Sequence, residues 1–529
     1  MFSPTVRTHI RNLIIIGVTA ALVNSVAYLV SGIPPKYNLN SDATVHEVQW
    51  QEFSQSYAGN FNNDIMFQNF QEVPSGVLIA DKALVRTAEF LRIDLLDWSV
   101  IISILTLALF LSGFYFLVFY TTKKSLISLL LTLVSIVPVI SLGLSTWGSS
   151  ISGFVPKEIS VGVSLWLTIL YLKGVSENSR SKIATFFLLL GLFANFYLTL
   201  FFHYAVVMLT VEVIRCRSIR KEHVAYGLLF LAAAPLALFD IFVRAGHFAP
   251  PNLSIIIDHY GNTLRSPAYL LLHYLRKQII YAVLVGVMWY LYRRVFKREY
   301  PILMQVWYAI WWSTLLWSLV GVGIEVFAPL YMKYLISRIS VWFYPASMII
   351  IAYTAYELWF TKFRRSFQTL AAFSLLLVLV LLSQTSLLNV YNGIREQNSD
   401  AADYKQYLSV VTKLHDIVPP NALVLANPDG AANTIRTYGG VGTYVAAKDG
   451  IVMLFDGGAA ELWFARYKEA ERLFAEKDFL SIMAYARERN LRYYFFDMRD
   501  IGKDRQALER RIIIRSGPYG LADLSPAAL

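Results

Sequence analysis

Carboxylates that could take up a proton beside a membrane occur early in this chain. The run Phe61-Asn62-Asn63-Asp64-Ile65-Met66-Phe67 places one acid between apolar residues. Partial desolvation there would raise the pKa of Asp64 and suit it to general-base work. A loop aspartate closing a turn after two asparagines accounts for the same residues without any chemistry. Asp42, His46 and Glu47 come earlier, and His46, Trp50, Phe53 and Tyr57 share one face of a helical stretch over 43–57. Asp42 and His46 can look the same way from such a helix, yet a metal ion needs more oxygen or nitrogen ligands than this pair brings. Asp42 also stands where an N-cap would. Further along, His247, Asp258, His259 and His273 form a loose set without metal-site spacing, and His203 sits among Phe201, Phe202 and Tyr204 as a packed aromatic turn. No metal ligands are assigned. The single cysteine, Cys216, excludes an intrachain disulfide and a cysteine metal cluster.

The elements that must position these groups are membrane helices. Of 529 residues 56% are hydrophobic and 16% charged, too little polar surface to solubilise so large a chain. Runs long enough to cross a bilayer lie near 13–30, 99–121, 126–146, 155–173, 183–202, 204–214, 224–244, 274–292, 302–326, 337–358 and 367–386, about eleven crossings. The first lacks a small-residue cleavage site before Pro34 and Pro35 and reads as an uncleaved span. Positive charge alternates from gap to gap. Up to residue 386, one set of gaps carries 18 Lys/Arg against 5 Asp/Glu and the other 11 against 13. The positive-inside rule then puts the N-terminus in the cytoplasm and the tail outside. Trp98, Trp147, Tyr290 and Trp359 fall near span ends, as interfacial anchors do. The formal charge of +11 belongs wholly to this half, because residues 387–529 balance 18 basic against 18 acidic side chains. Loop charge explains it better than a nucleic-acid surface, so nucleic acid is not expected as a partner.

Three outside segments are too long to be simple connections: 32–98, 246–273 and the tail from 387. The domains are therefore a membrane part over 1–386, holding both loops, and an exported part over 387–529. In the tail the pattern turns to α/β. A helix runs through Asp403, Tyr407, Val411 and Leu414, followed by a strand Ala422–Leu425 and a short strand near Gly442–Ala446. Helices over Ala459–Phe474 and Phe479–Arg489, a strand Tyr493–Phe496 and an edge strand at Ile512–Ile514 complete it. Asn427-Pro428-Asp429-Gly430 and Gly439-Gly440 match no phosphate-binding glycine pattern, and turns between strands and helices account for them.

The layout of a first span, a long acidic outside loop, many further spans and a terminal α/β domain resembles the glycosyltransferase-C (GT-C) superfamily. It is closer to a group of bacterial polytopic membrane proteins placed near that superfamily. The residues that carry the likeness are Asn60-Phe61-Asn62-Asn63-Asp64 with Pro74-Ser75-Gly76, and the tail stretches Ile417–Leu425, Arg436-Thr437-Tyr438, Tyr444–Lys448 and Glu461–Tyr467. The resemblance implies transfer of a sugar from a polyprenyl-phosphate donor at the outer face of the bacterial cytoplasmic membrane. An acid of the first loop would act as base or metal ligand, and that role falls on Asp64, Asp42 or Glu47. The loop lacks a DxD or ExD pair, so the cofactor is left open, a divalent cation included.

An inverting transfer needs positive groups at the departing phosphate. Arg265, Arg276, Lys277, Lys333 and Arg338 lie in or beside outside segments near the membrane surface and suit that part. Arg338, with Trp342 and Tyr344 below it, fits a snorkelling side chain as well. Asp240 and Arg244 read as a helix-surface ion pair. A non-catalytic relative that binds lipid-linked glycan or an envelope-assembly partner is the competing class. A secondary transporter is least favoured. No internal repeat is evident, the breaks at Pro138, Gly143, Pro235 and Pro345 do not correspond between halves, and Glu325 falls near a span end.

Overall fold

The computed structural model describes residues 4–37, 41–57, 59–68, 76–136, 156–239, 255, 267–297, 299–327, 339, 341–362, 400–447, 449 and 457–525. Apolar helices dominate it. Five are long and apolar enough to cross a membrane: Thr5–Val23, Leu95–Thr122, Ile159–Ser176, Leu198–Cys216 and Ile302–Ile324. The chain is thus a helical membrane protein with a small C-terminal sheet. The helices that make up this apolar part of the chain are α1 (Pro4–Ser31), α4 (Leu95–Thr122), α5 (Ser125–Ile136), α6 (Pro156–Ser176), α7 (Arg180–Ala194), α8 (Leu198–Cys216), α9 (Lys221–Ala233), α10 (Pro267–Phe296), α11 (Ile302–Phe327) and α12 (Phe343–Lys362). The run expected at 367–386 lies outside the described residues. Between α1 and α4 the first loop forms α2 (Ser41–Phe53) and α3 (Gly76–Leu91).

Apolar attraction between helices is weak in lipid, so close packing and buried hydrogen bonds must hold the bundle. Helix α4 packs on α1 and α6, α7 on α9, α8 on α11, and α12 on α10 and α11. Indole N–H groups find hydroxyls inside: Trp307 Nε1 donates to Thr121 Oγ1 at 3.1 Å and Trp311 Nε1 to Ser347 Oγ at 3.0 Å. Tyr204 stacks on Trp342 and Tyr292 on Tyr300, each pair at 3.8 Å between centroids. Gly191 of α7 lies against the Phe230 carbonyl and Ala233 of α9, with no room for a Cβ. Gly191→Ala should therefore lower the melting temperature in detergent, at an overpacking cost of about 1–3 kcal/mol. An unchanged melting curve would contradict the close approach.

The turn between α7 and α8 falls at Asn195–Tyr197, earlier than hydropathy suggests. Phe196 and Tyr197 are themselves apolar and hide the break. Asn195 makes it: its Nδ2 donates to Ala233 O at 2.8 Å, and its Oδ1 accepts from Leu236 N and Ala237 N at 2.9 and 3.1 Å. His203 consequently sits inside α8, buried beside Phe202, and not at a turn.

The tail contains α13 (Ala401–Val411), β1 (Leu423–Leu425), α14 (Ala431–Gly439), β2 (Gly442–Thr443), α15 (Gly457–Glu476), α16 (Phe479–Glu488), β3 (Tyr493–Asp497), β4 (Ile512–Ser516) and β5 (Tyr519–Asp523). The sheet order is β2-β1-β3-β5-β4. β1 runs parallel to β2 and β3, while β5 is antiparallel to β3 and β4. Ile512–Ser516 is the edge strand its isoleucines suggested. Helix α14 and strand β5 are additions to the sequence reading. Asn427 begins the turn into α14, its Oδ1 accepting from Asp429 N at 3.1 Å, which is the turn reading of Asn427–Gly430.

The first loop and the tail share a core. Ile65 and Ile255 pack with the Trp463 and Tyr494 side of the sheet, and Ile33 and Leu96 pack with Val411, Val424 and Phe495 on the other. The α/β unit thus draws apolar residues from the membrane half of the chain as well as from 400–525.

Candidate active site at the first loop

Helix α2 is covered on two sides, and this decides what its acids can do. Toward the tail, Gln51 Nε2 donates to Thr437 O at 2.6 Å, and Thr437 Oγ1 donates to Thr44 O at 3.1 Å. On the other side, Trp50 packs with Val85 and Ala88 of α3 and with Leu95, Trp98 and Ile102 of α4. Glu47 lies in this sandwich, 1% exposed. Ser99, in the first turns of α4, hydrogen-bonds its carboxylate, while Oε1 has no hydrogen-bond partner among the described residues. Burial pushes the Glu47 pKa well above the usual carboxylate range, and the charges of Asp94 and Asp81 add to the rise.

Asp81 is the second buried acid here. It shares a face of α3 with Val85 and Ala88, and its Oδ1 accepts from Trp50 Nε1 at 2.9 Å. Burial raises its pKa to about 7 against the pull of that indole hydrogen bond. Sequence reading passed over Asp81, although an acid four residues before Val85 on an apolar helical face is the available signal. Asp94 caps α4 by accepting from Leu96 N and Asp97 N at 3.0 and 3.2 Å, and Lys36 bridges to Asp97 at 2.9 Å.

Because the native state holds a proton on Asp81 that the unfolded chain loses near pH 4, its stabilising contribution is complete below that pH. It is lost as pH rises through about 7. Asp81→Asn keeps an oxygen for Trp50 and removes the titration. The variant's melting temperature should match the wild type near pH 4 and exceed it at neutral pH, where the stability difference is ~4 kcal/mol at most. Parallel melting curves across that range would show that Asp81 titrates as an ordinary exposed acid.

Asp64 is fully buried and committed elsewhere. Its Oδ2 accepts from Arg436 Nε at 2.7 Å and Thr443 N at 3.0 Å, and its Oδ1 accepts from Arg436 Nη2 at 2.9 Å and Met66 N at 3.1 Å. The same guanidinium meets Asp449 at 2.7 and 3.1 Å, and Asp449 Oδ2 also accepts from Ala446 N at 2.8 Å. Burial still raises the Asp64 pKa, opposed by Arg436 and helped by the Asp449 charge. Of the two sequence readings, the turn stands, since Met66 N bonds back to the Asp64 side chain. What the sequence could not indicate is the arginine 372 positions away. With every oxygen occupied, Asp64 joins the first loop to the tail, and this geometry does not present it as a base. Asn60 and Asn63 reinforce the joint by donating to Gly440 O and Asn421 O at 2.9 and 2.8 Å.

Asp42 lies in the first turn of α2, which begins at Ser41. Arg276 and Lys277 lie within α10. Arg265, Lys333 and Arg338 are outside the described residues, as are Asp240, Arg244, His247, Asp258, His259 and, as to its side chain, His273.

Among the described residues, Glu212, Cys216 and His223 come close enough to share one ion, their ligand atoms within 4.8 Å of one another. Glu212 is already held by Arg215 Nη2 at 2.8 Å and by Tyr171 OH at 2.5 Å, and His223 Nδ1 accepts from Arg220 N at 3.1 Å. A guanidinium supplies the positive charge an ion would bring, so this group reads as a neutralised acid near the end of α8. The chain matches no protein-family model and no curated protein.

Proposed function

We propose that this protein is a membrane glycosyltransferase of the GT-C kind, taking a sugar from a polyprenyl-phosphate-linked donor at the outer face of the bacterial cytoplasmic membrane. The observation that carries the reading is Glu47: a buried carboxyl with one oxygen unpartnered among the described residues and a strongly raised pKa, beside the first turns of α4. Perturbed acids of this kind concentrate at functional sites. In an inverting transfer the acceptor hydroxyl attacks the anomeric carbon, its proton passes to the carboxylate, and the polyprenyl phosphate leaves with the bonding pair. A base whose pKa is raised holds that proton better than an ordinary glutamate does. In this reading the base is Glu47, with Asp81 beside it setting the local charge. Arg265, Arg276, Lys277, Lys333 and Arg338 remain the groups for the leaving phosphate. About eleven crossings, a cytoplasmic N-terminus and an exported tail belong to the same proposal, supported by the charge alternation of the loops.

One observation favours the non-catalytic alternative, a protein of the same layout that binds lipid-linked glycan or a partner. Asp64, the acid whose surroundings best resemble the related group, is bound up with Arg436 and Asp449. The test is mass spectrometry of polyprenyl-phosphate sugars in membranes overproducing wild type or Glu47→Gln at equal levels. A fall of one donor lipid with wild type alone supports transfer. Identical profiles with the donor detectable move the assignment to the binding protein.

A further inference from the structure

Helix α3 has two unlike faces. Asp81, Val85 and Ala88 are buried against α2 and α4, whereas Phe90 is 85% exposed, Ile79 51% and Leu91 48%. Ile79, Ala83, Arg86 and Phe90 follow one another at helical spacing along the outer side, and Lys82, Arg86 and Arg92 are exposed there too. An uncovered phenylalanine, isoleucine and leucine on one short helix need a cover other than water.

The position of α3 identifies that cover. It ends at Leu91, Arg92 turns the chain through a φ of 56°, and the membrane-crossing helix α4 starts at Leu95. The 28 residues of α4 reach about 42 Å, more than the ~30 Å hydrocarbon core, so its first turn stands in the headgroup layer. Phe90 and Leu91 are thus within a few residues of the lipid boundary, continuous with a surface that is already membrane. Arg86, within the row, is paired with Glu89 at 2.8 Å, while Lys82 and Arg92 beside the apolar side chains are the composition of a helix lying in an interface that holds anionic lipid.

We propose that α3 is an interfacial helix, its Ile79, Phe90 and Leu91 side sunk into the leaflet that faces the α/β unit, with Lys82 and Arg92 against anionic headgroups. The consequence for the site is depth. Asp81 projects from the opposite face of this helix and contacts Trp50 one turn from Glu47, so both acids are held at the level of lipid phosphates. The membrane contact stands on exposure and chain connection alone and does not depend on the glycosyl-transfer reading.

The experiment uses the full chain with Cys216→Ser, which removes the single cysteine. Phe90→Cys or Ile79→Cys then carries an environment-sensitive nitrobenzoxadiazole label in proteoliposomes of phosphatidylethanolamine and phosphatidylglycerol. Glu509→Cys, exposed on the α/β unit, serves as the aqueous reference. Shallow doxyl-lipid should quench the labels at 90 and 79 several-fold more than it quenches 509, and iodide should do the reverse. Iodide quenching at 90 and 79 equal to that at 509 would overturn the proposal. Protection from both quenchers would overturn it too, because a protein, a second copy included, would then cover the face. Since Phe90 and Ile79 are mostly exposed, neither substitution removes core packing.

Discussion

Arg436→Ala is expected to loosen the first loop from the tail and to cost about 3–5 kcal/mol, the range for breaking a buried ion pair on one side. The guanidinium is 1% exposed and the two carboxylates it joins are fully buried. Its removal leaves Asp64 and Asp449 facing each other with Thr443 N, Met66 N and Ala446 N as the remaining donors among the described residues. Two uncompensated buried carboxylates can be relieved only by protonation. The Asp64 pKa is already raised, so in the variant the native state takes up protons more readily than the unfolded chain does. Sign follows: the variant is least impaired below the unfolded pKa near 4 and loses stability as pH rises toward neutrality. Thermal unfolding in detergent across pH 4–8, with limited proteolysis of the loop, measures this. A wild-type melting curve at neutral pH would contradict the role assigned to the triad. Replacing Arg436, Asp64 and Asp449 together by apolar residues of similar volume should recover much of the loss, as burial of the charges is itself costly.

Glu47→Gln is expected to behave in the opposite way, lowering transfer by about 10²–10⁴-fold with the fold retained. Glutamine has the same shape and can accept the Ser99 hydrogen bond, while the titrating group in the α2–α4 sandwich is gone. Because burial already holds Glu47 toward its neutral form, an uncharged amide should leave the melting temperature at or above that of the wild type at neutral pH. The two variants thus separate chemistry from architecture: one loses stability through a charge network, the other loses turnover. Asp64→Asn belongs with Arg436→Ala, since its oxygens bind Arg436 and two backbone N–H groups. Donor-lipid consumption in proteoliposomes, read beside thermal unfolding, distinguishes them. Full turnover by Glu47→Gln would remove the base assignment.

The class of the molecule and much of its local structure are legible in the order of its residues. Desolvation and periodicity are local properties: a run such as Leu95–Thr122 has no stable place but lipid, and residues 493–496 are aromatic and β-prone throughout. The edge position of Ile512–Ser516 follows the same logic, its burial alternating along the strand. Helix α14 escaped because Ala431–Gly439 is short, polar and bounded by glycines, and the contacts of Arg436, Thr437 and Tyr438 hold it rather than its own composition. Tertiary structure alone decided which acid does what. Asp64, between apolar residues, has the surroundings of a base, yet an arginine from the far end of the chain occupies it; Glu47 and Asp81 look like ordinary surface acids and are buried against each other's helices. A carboxylate's pKa and freedom depend on dielectric and on partners within a few ångströms, and the fold draws those partners from distant parts of the sequence.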